Sequence, residues 1–274
     1  MSAATIPEII TIALAKSFAD HEVGFTGLVT GAAAMLYGTS IPLAAMMFAK
    51  LTHAPNLTIL LAGWSHNPDL ASLAALPDQE FDSTLLDLPC EAQTVRYPGQ
   101  FSFKRGHVDF GFSSGVQLDV TGSLNSVVIG DHARPKVRLV GPILQPEHMT
   151  IFRREYVMLP HHTARVLVEK VDYVSGVGYP GGLAGRAALG IPEGGPEWVV
   201  TPECIFDFDK EAGRIRLRSI HREERRGELA GVTGFALPDL EDAPATPEPT
   251  AEELDLLRRV VDPRGLLLGR APEH

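Results

Sequence analysis

The sequence predicts an α/β protein with an open, mostly parallel sheet flanked by helices. Two observations carry that expectation: short runs rich in Val, Ile, Leu and Phe alternate with longer segments of helical periodicity, and the strand-like runs end in glycine-containing loops. A third is the run 107–131, HVDFGFSSGVQLDVTGSLNSVVIGD. Within it, 108–112 reads as a buried strand, Ser113, Ser114 and Gly115 as a tight loop, Thr121-Gly122-Ser123 as a second turn, and 126–129 as a second strand. Open α/β sheets present polar groups to ligands beyond the carboxyl ends of their strands, and a loop carrying Gln117, Asp119 and Asn125 fits that use. The same residue types also serve only to tie turns together, and the sequence leaves both readings open.

The first helix is expected over 7–19, where Ile9, Ile10, Ile12, Leu14 and Phe18 recur at helical spacing, Pro7 suits the first turn and Glu8 meets the positive end of the dipole. A short strand follows at 25–29, and the small residues 31–34 permit close backbone approach. Thr39 or Ser40 can cap the next helix, with Pro42 in its first turn and Leu43, Met46, Met47 and Leu51 on one face. Residues 57–61 form the next strand, which runs into the turn Ala62-Gly63-Trp64-Ser65-His66-Asn67-Pro68. An aromatic and a histidine at a strand's carboxyl end suit chemistry: His66 can act as a general acid or base near neutral pH, or it is simply an exposed turn residue. Residues 70–76 and 84–95 read as helical, separated by Pro77-Asp78, and 100–106 leads into the central strand. Further strands are expected at 136–140, 155–159 and 164–174, with a proline-interrupted loop over 141–148. Residues 198–201, 204–209 and 214–220 form a strand group with a hairpin turn at 210–213. The single α/β domain spans 1–237; an extended linker rich in Pro and acids and a C-terminal helix and tail occupy 238–274, the helix capped by Thr250.

Composition narrows the function. The 274-residue chain carries a formal charge of -10 and lacks a basic stripe, which argues against a nucleic-acid partner and for proteins and small molecules. Its two cysteines, Cys90 and Cys204, suit a reducing compartment and read as buried structural residues; the N-terminus has no secretory signature, and the expected location is the cytoplasm. Residues 23–49 are uncharged and long enough to cross a bilayer, but they are broken by glycines and Pro42, so a buried loop and core helix fit better than a span. His161 and His162 are adjacent and lack a neighbouring ligand set, so no metal is assigned. The glycine pattern Gly176-Val177-Gly178-Tyr179-Pro180-Gly181 contains a proline and leads into more glycine loop instead of a helix, so no NAD is assigned.

With these segments in place, the chain resembles the β subunits of class I coenzyme A transferases, in the branch of glutaconate CoA-transferase and the steroid ring-opening hydrolases. The resemblance rests on residues 38–56 (GTSIPLAAMMFAKLTHAPN), 115–125 (GVQLDVTGSLN), 136–141 (KVRLVG), 168–178 (VEKVDYVSGVG), 194–209 (GGPEWVVTPECIFDFD) and 233–237 (TGFAL), in that order. It implies an open α/β fold of the CoA-transferase (NagB/RpiA-like) type, an α subunit as partner in a heterodimer or heterotetramer, and an acyl-CoA thioester as substrate.

Transferases of the family place a nucleophilic glutamate just after the strand equivalent to 57–61. The matching position here is Ala62, and residues 60–67 contain no acid. The family's glycine-rich segment after its RLPG-like motif is replaced by Pro142-Ile143-Leu144-Gln145-Pro146. Steroid-branch β chains are similar in lacking that glutamate; there the acid comes from the α chain and the reaction hydrolyses a carbon–carbon bond of a cyclic β-ketoacyl-CoA. By that resemblance the favoured reaction is hydrolytic, with His66 and Ser65 as candidate catalytic groups and Trp64, Ser114, Gly115, Gln117, Asn125 and Gly141 as candidate CoA-ester contacts. The alternatives are a transferase whose acid lies on another chain, and a non-catalytic scaffold subunit.

Overall fold

The computed structural model describes residues 3–77, 79–80, 82–93, 106–191 and 194–269. The Asp78 turn and the lead-in over 100–105 lie outside the described residues. Two compact units emerge, one made of Met1–Phe112 with Pro247–His274 and the other of Ser113–Thr246.

In the first unit, helix α1 (Ile6–Ala15) starts where Thr5 caps the Glu8 amide and Glu8 returns a hydrogen bond to the Thr5 amide. Each half of that capping box satisfies one orphan donor of the first turn. Strand β1 (Val23–Thr26) follows, then helix α2 (Ala32–Thr52). The expected buried loop before the second helix is itself helical, and neither Thr39 nor Ser40 caps it: Ser40 has helical φ -70 and ψ -50. Pro42 is accommodated because the chain widens to a π turn at Leu36–Ser40 immediately before it. Pro42 has no N–H to offer the Gly38 carbonyl, and the Thr26 hydroxyl takes that place, donating to Gly38 O at 2.9 Å. Thr39 Oγ1 donates in turn to Gly27 O at 2.9 Å, so the end of β1 is latched to the π turn. Helix α2 is long and apolar enough to cross a membrane, yet 67% of its most apolar stretch is buried inside the protein. It packs against α1, and Ile9, Ile10, Leu14, Ile41, Leu43 and Met46 are fully buried.

Strands β2 (Thr58–Leu61), β3 (Ser65–Pro68), β4 (Cys90–Gln93) and β5 (Phe110–Ser113) complete this unit's sheet, in the order β5-β1-β2-β3-β4. Pairing is parallel across β5-β1-β2 and antiparallel from β2 through β3 to β4. Two expectations change here. The second half of the 62–68 turn is the strand β3, and the helix expected over 84–95 is a 3-10 turn at Ser83–Leu85 followed by β4, because Pro89 ends any helix and 90–93 finds β3 to pair with. Likewise 70–76 holds only the 3-10 turn Leu70–Ser72. Cys90, expected buried, is half-exposed.

The second unit begins with the short strands β6 (Gln117–Asp119), β7 (Leu124–Asn125), β8 (Val128–Ile129) and β9 (Val137–Arg138). Helix α3 (Gln145–Ile151) replaces the expected loop: Pro146 lies in its first turn, where no N–H is required, and Leu144 turns the chain with φ 55. Strand β10 (Arg154–Met158) pairs in parallel with β12 (Pro196–Val200), and the hairpin of β13 (Cys204–Asp209) and β14 (Arg214–Ile220) continues antiparallel, as expected. Of the strand expected over 164–174, only β11 (Leu167–Val168) pairs, with β6. The glycine segment leads into helix α4 (Gly182–Ala188), contrary to expectation. Helix α5 (Arg226–Val232) follows β14. A core including Leu118, Val157, Leu159, Val199, Phe206 and Leu217 holds the unit; each such side chain contributes about 1.5–3 kcal/mol. The fold is thus α/β, an open sheet with helices and parallel pairing among its inner strands.

The chain returns to the first unit as a helix, Ala251–Leu256, continued by a π turn, Leu257–Val261. Its capping box, Thr250 with Glu253, lies where the sequence predicts.

Candidate active site

The hairpin β2–β3 positions Ala62, Trp64, Ser65 and His66. Trp64 N donates to Leu61 O at 3.0 Å across a two-residue turn whose central residues, Ala62 and Gly63, have φ 53 and 71. Positive φ at both is the type I′ pattern, which matches the twist of a hairpin but penalises a residue with a Cβ at the first position. Ala62, where the sequence resemblance expects the family glutamate, is therefore held in a strained conformation and is buried, at 8% exposure.

Ser65 pairs with Leu61 and Gln93, and His66 with Leu60 and Ala92. Consecutive strand residues face opposite sides of a sheet, so Ser65 and His66 do not form a nucleophile–base couple. Ser65 is fully buried and His66 half-buried, and neither Ser65 Oγ nor His66 Nδ1 has a hydrogen-bond partner among the described residues. Trp64, at the turn, is half-buried.

Beyond the hairpin, the carboxyl ends of the parallel strands β1 and β2 lie side by side: Thr26 pairs with Leu61, and Ala62 N donates to Thr26 O at 2.8 Å. Gly27 follows Thr26, and the carboxylate of Glu80 packs directly on it, so that a Cβ built on Gly27 would collide with Glu80 Oε1. Residues 60–67 contain no acid, as read from the sequence. Glu80, on the connection between β3 and β4, brings a carboxylate there, and no local motif announces it.

The other candidate contacts, Ser114, Gly115, Gln117, Asn125 and Gly141, belong to the second unit. There the amides serve each other. Asn125 Nδ2 donates to Gln117 Oε1 at 2.7 Å and to Val128 O at 2.6 Å, while Asn125 Oδ1 accepts the Val127 and Val128 amides. Gln117 Nε2 donates to Asp172 Oδ2 at 3.3 Å. Gln145 Nε2 donates to Ser114 O at 2.7 Å, and Gly141 N to Ser126 O at 3.1 Å. Asp119 Oδ1 accepts from the Thr121 and Ser123 amides and the Thr121 hydroxyl. These bonds tie the turns of the stretch to one another.

Three further polar groups of this unit bear on the sequence motifs. His162 is buried between the Thr201 and Thr233 hydroxyls, 2.9 Å from each, whereas His161 is exposed. Burial holds the His162 imidazole down to about 4 and pushes the Cys204 thiol up. No group of three or more His, Cys, Asp or Glu is placed for a metal among the described residues. The glycine segment is clamped by buried Arg186, which donates to Val177 O, Gly178 O and Met149 O at 2.6–2.8 Å. Gly178 itself packs on the 121–123 backbone, leaving no room for a Cβ, which explains this glycine without a dinucleotide. Sequence reasoning also missed a buried pair, His148 Nδ1 with Glu155 Oε1 at 3.4 Å, at the amino end of β10.

No family model matches the sequence. Among curated proteins, the cholesterol ring-cleaving hydrolase IpdB subunit of Mycobacterium tuberculosis is 33% identical over 233 residues, 81% of this chain and 89% of that protein. The chain is a β subunit of the class I CoA-transferase family. A second member, the β-type subunit of 3-oxoadipate CoA-transferase from Pseudomonas knackmussii, is 29% identical over 94% of both chains. Among solved structures, glutaconate coenzyme A-transferase of Acidaminococcus fermentans matches at 25% identity and TM-score 0.78, covering 98% of both chains. IpdAB of Rhodococcus jostii matches at 26% and TM-score 0.76, covering 99% of this chain and 100% of the other. These matches agree with the CoA-transferase fold type expected from the sequence.

Proposed function

We propose that the chain is the β subunit of a cytoplasmic heteromer with an α-type subunit of the same family, acting on an acyl-CoA thioester by hydrolytic opening of a carbon–carbon bond in a cyclic β-ketoacyl-CoA. The observation that carries this reading is Ala62, a strained and nearly buried alanine where the family's transferases attack with a glutamate. A methyl side chain cannot form the acyl and CoA adducts that double displacement needs. The identity to the ring-cleaving hydrolase subunit supports the same side. In this reading Trp64 and His66, both half-buried, meet the substrate, while buried Ser65 supports them from the other face of the sheet. Coenzyme A enters as part of the substrate, and neither metal nor NAD is required.

The test is to produce the chain with the α-type chain encoded beside it and follow CoA-ester consumption with and without an acceptor acid. Turnover without acceptor supports hydrolysis. A second reading, a transferase with its acid on another chain, is favoured by the 94% coverage of the 3-oxoadipate CoA-transferase chain; strict dependence on an acceptor would establish it instead.

A further inference from the structure

The exposed apolar side chains of the second unit gather in one place. Strands β8 and β9 form a ribbon, Val128 opposite Arg138 and Ile129 opposite Val137, and no third strand joins it among the described residues. Val137 is 49% exposed, and Val140 and Ile143, which follow directly, are 99% and 74% exposed. At the base of the ribbon Val116 N donates to Asn125 O at 2.9 Å and Ser126 N to Ser175 Oγ at 3.0 Å, which brings exposed Val116 and Val174 beside it. Tyr173, also exposed, stacks on His132 with ring centroids 5.1 Å apart. A two-stranded ribbon is marginal in water unless a face is packed, and a contiguous exposed apolar patch marks an interaction surface.

The patch stands on a fixed base. Buried Gln145 accepts through Oε1 from the Ser126 hydroxyl at 3.0 Å and the Ser175 hydroxyl at 2.5 Å, and Asp172 Oδ2 accepts the Gly130 amide at 2.8 Å. A surface so held loses little freedom when it is covered.

Its charge indicates what covers it. Within 131–138, Arg134, Lys136 and Arg138 are exposed, and the one acid, Asp131, accepts the Ala133 and Arg134 amides, whereas the whole chain carries -10. Two copies of this chain meeting here would set three cations against three, and like charges across an interface weaken association. A different chain with acids around an apolar strip meets no such conflict. The ribbon also contains 136–141, one of the segments that carry the likeness to other β subunits, and members of this family pair with an α-type subunit.

We infer that the β8–β9 ribbon, with Val116, Ile143, Tyr173 and Val174 around it, is the surface on which the α-type subunit docks, and that the α-type chain meets it with an apolar strip bordered by Asp and Glu. The inference rests on the heteromer above and not on the reaction it catalyses.

The experiment uses the complex made with the α-type chain encoded beside this one, without substrate. Zero-length carbodiimide coupling joins a lysine to a carboxylate in direct contact, and mass spectrometry of the wild-type complex should find Lys136 joined to an acid of the α-type chain. Sedimentation over a dilution series then compares wild type with the double variant Val140→Glu/Ile143→Glu, with Arg138→Glu, and with Leu189→Glu, a control 59% exposed on α4. Kd should rise at least about 100-fold in the double variant and about 10-fold in Arg138→Glu, and stay unchanged in Leu189→Glu. Lys136 joined to a second copy of this chain or to nothing, or a double variant whose Kd equals that of wild type, overturns the docking surface and leaves the heteromer standing. A wild-type chain that does not associate with the α-type chain overturns both.

Discussion

Glu8 and Arg258 make the most quantitative test of how the first unit is held together. Glu8 is fully buried and Arg258 is 7% exposed, and the pair is bidentate, with Nε to Oε1 at 2.7 Å and Nη2 to Oε2 at 2.9 Å. The pair fastens the C-terminal helix to α1 while Glu8 also closes the cap on Thr5. Arg258→Met removes the cation and strands a buried carboxylate, at a cost of about 3–5 kcal/mol. At roughly 2 °C per kcal/mol, the lower end of the usual range and the one that suits a chain of this length, Tm falls by about 6–10 °C. Replacing both partners, Glu8→Leu with Arg258→Met, removes the stranded charge and should cost about 1 kcal/mol, mostly the lost cap. The dependence on pH supplies a second readout. Burial acts to raise the Glu8 carboxyl, but Arg258 and the Thr5 backbone outweigh it and hold it below the usual value of 4.5. That stabilisation is fully present above the unfolded value and is lost as pH falls through the folded one. In Arg258→Met burial is left to raise the carboxyl, so the gap between variant and wild type narrows toward acid. Urea titrations at several pH values measure both effects. A Tm loss under about 2 °C in Arg258→Met, or a penalty as large in the double variant as in the single, refutes the reasoning.

Burial likewise holds His162 and His221 down to about 4, so the unfolded chain takes up protons that the folded one refuses. Stability is therefore complete above about pH 6.5 and drains away as pH falls toward 4, by up to roughly 3 kcal/mol for each histidine; His162→Gln should flatten that decline in pH-dependent denaturation. Ala62→Gly relieves a left-handed alanine at the price of unfolded-chain entropy, a net gain of about 0.5–1 kcal/mol visible as a higher urea midpoint. In the assembled enzyme, His66→Ala should lower kcat about 10²-fold while Trp64→Ala mainly raises KM, read from initial rates; unchanged kinetics in both would remove the β2–β3 hairpin from the site.

Elements whose causes are local were legible in the sequence. The hairpin of β13 and β14 follows from alternation around a turn, and the C-terminal helix from its Thr250–Glu253 box. Helix α3 was hidden because Pro142 and Pro146 read as loop signals, although a proline in a first helical turn costs nothing. Strands β3 and β4 were hidden because each owes its form to pairing with the other, a partnership that periodicity does not carry. The site divides in the same way. The alanine at position 62 is visible by resemblance, but its strained turn is not. The mutual hydrogen bond of Gln117 and Asn125 was not legible, because it exists only once the chain turns back at 121–123. Glu80 and Gly27 meet through the tertiary fold, and neither stands in a motif.

The fate of the oxygen of water tests the central claim most directly. The heteromer is incubated with a cyclic β-ketoacyl-CoA in ¹⁸O-enriched water without any acceptor acid, and the product is weighed by mass spectrometry. The account predicts an opened product with one ¹⁸O in its new carboxylate and the CoA thioester intact. Substrate that stays unchanged until an acceptor acid is added, and then passes its CoA to that acid, would contradict it.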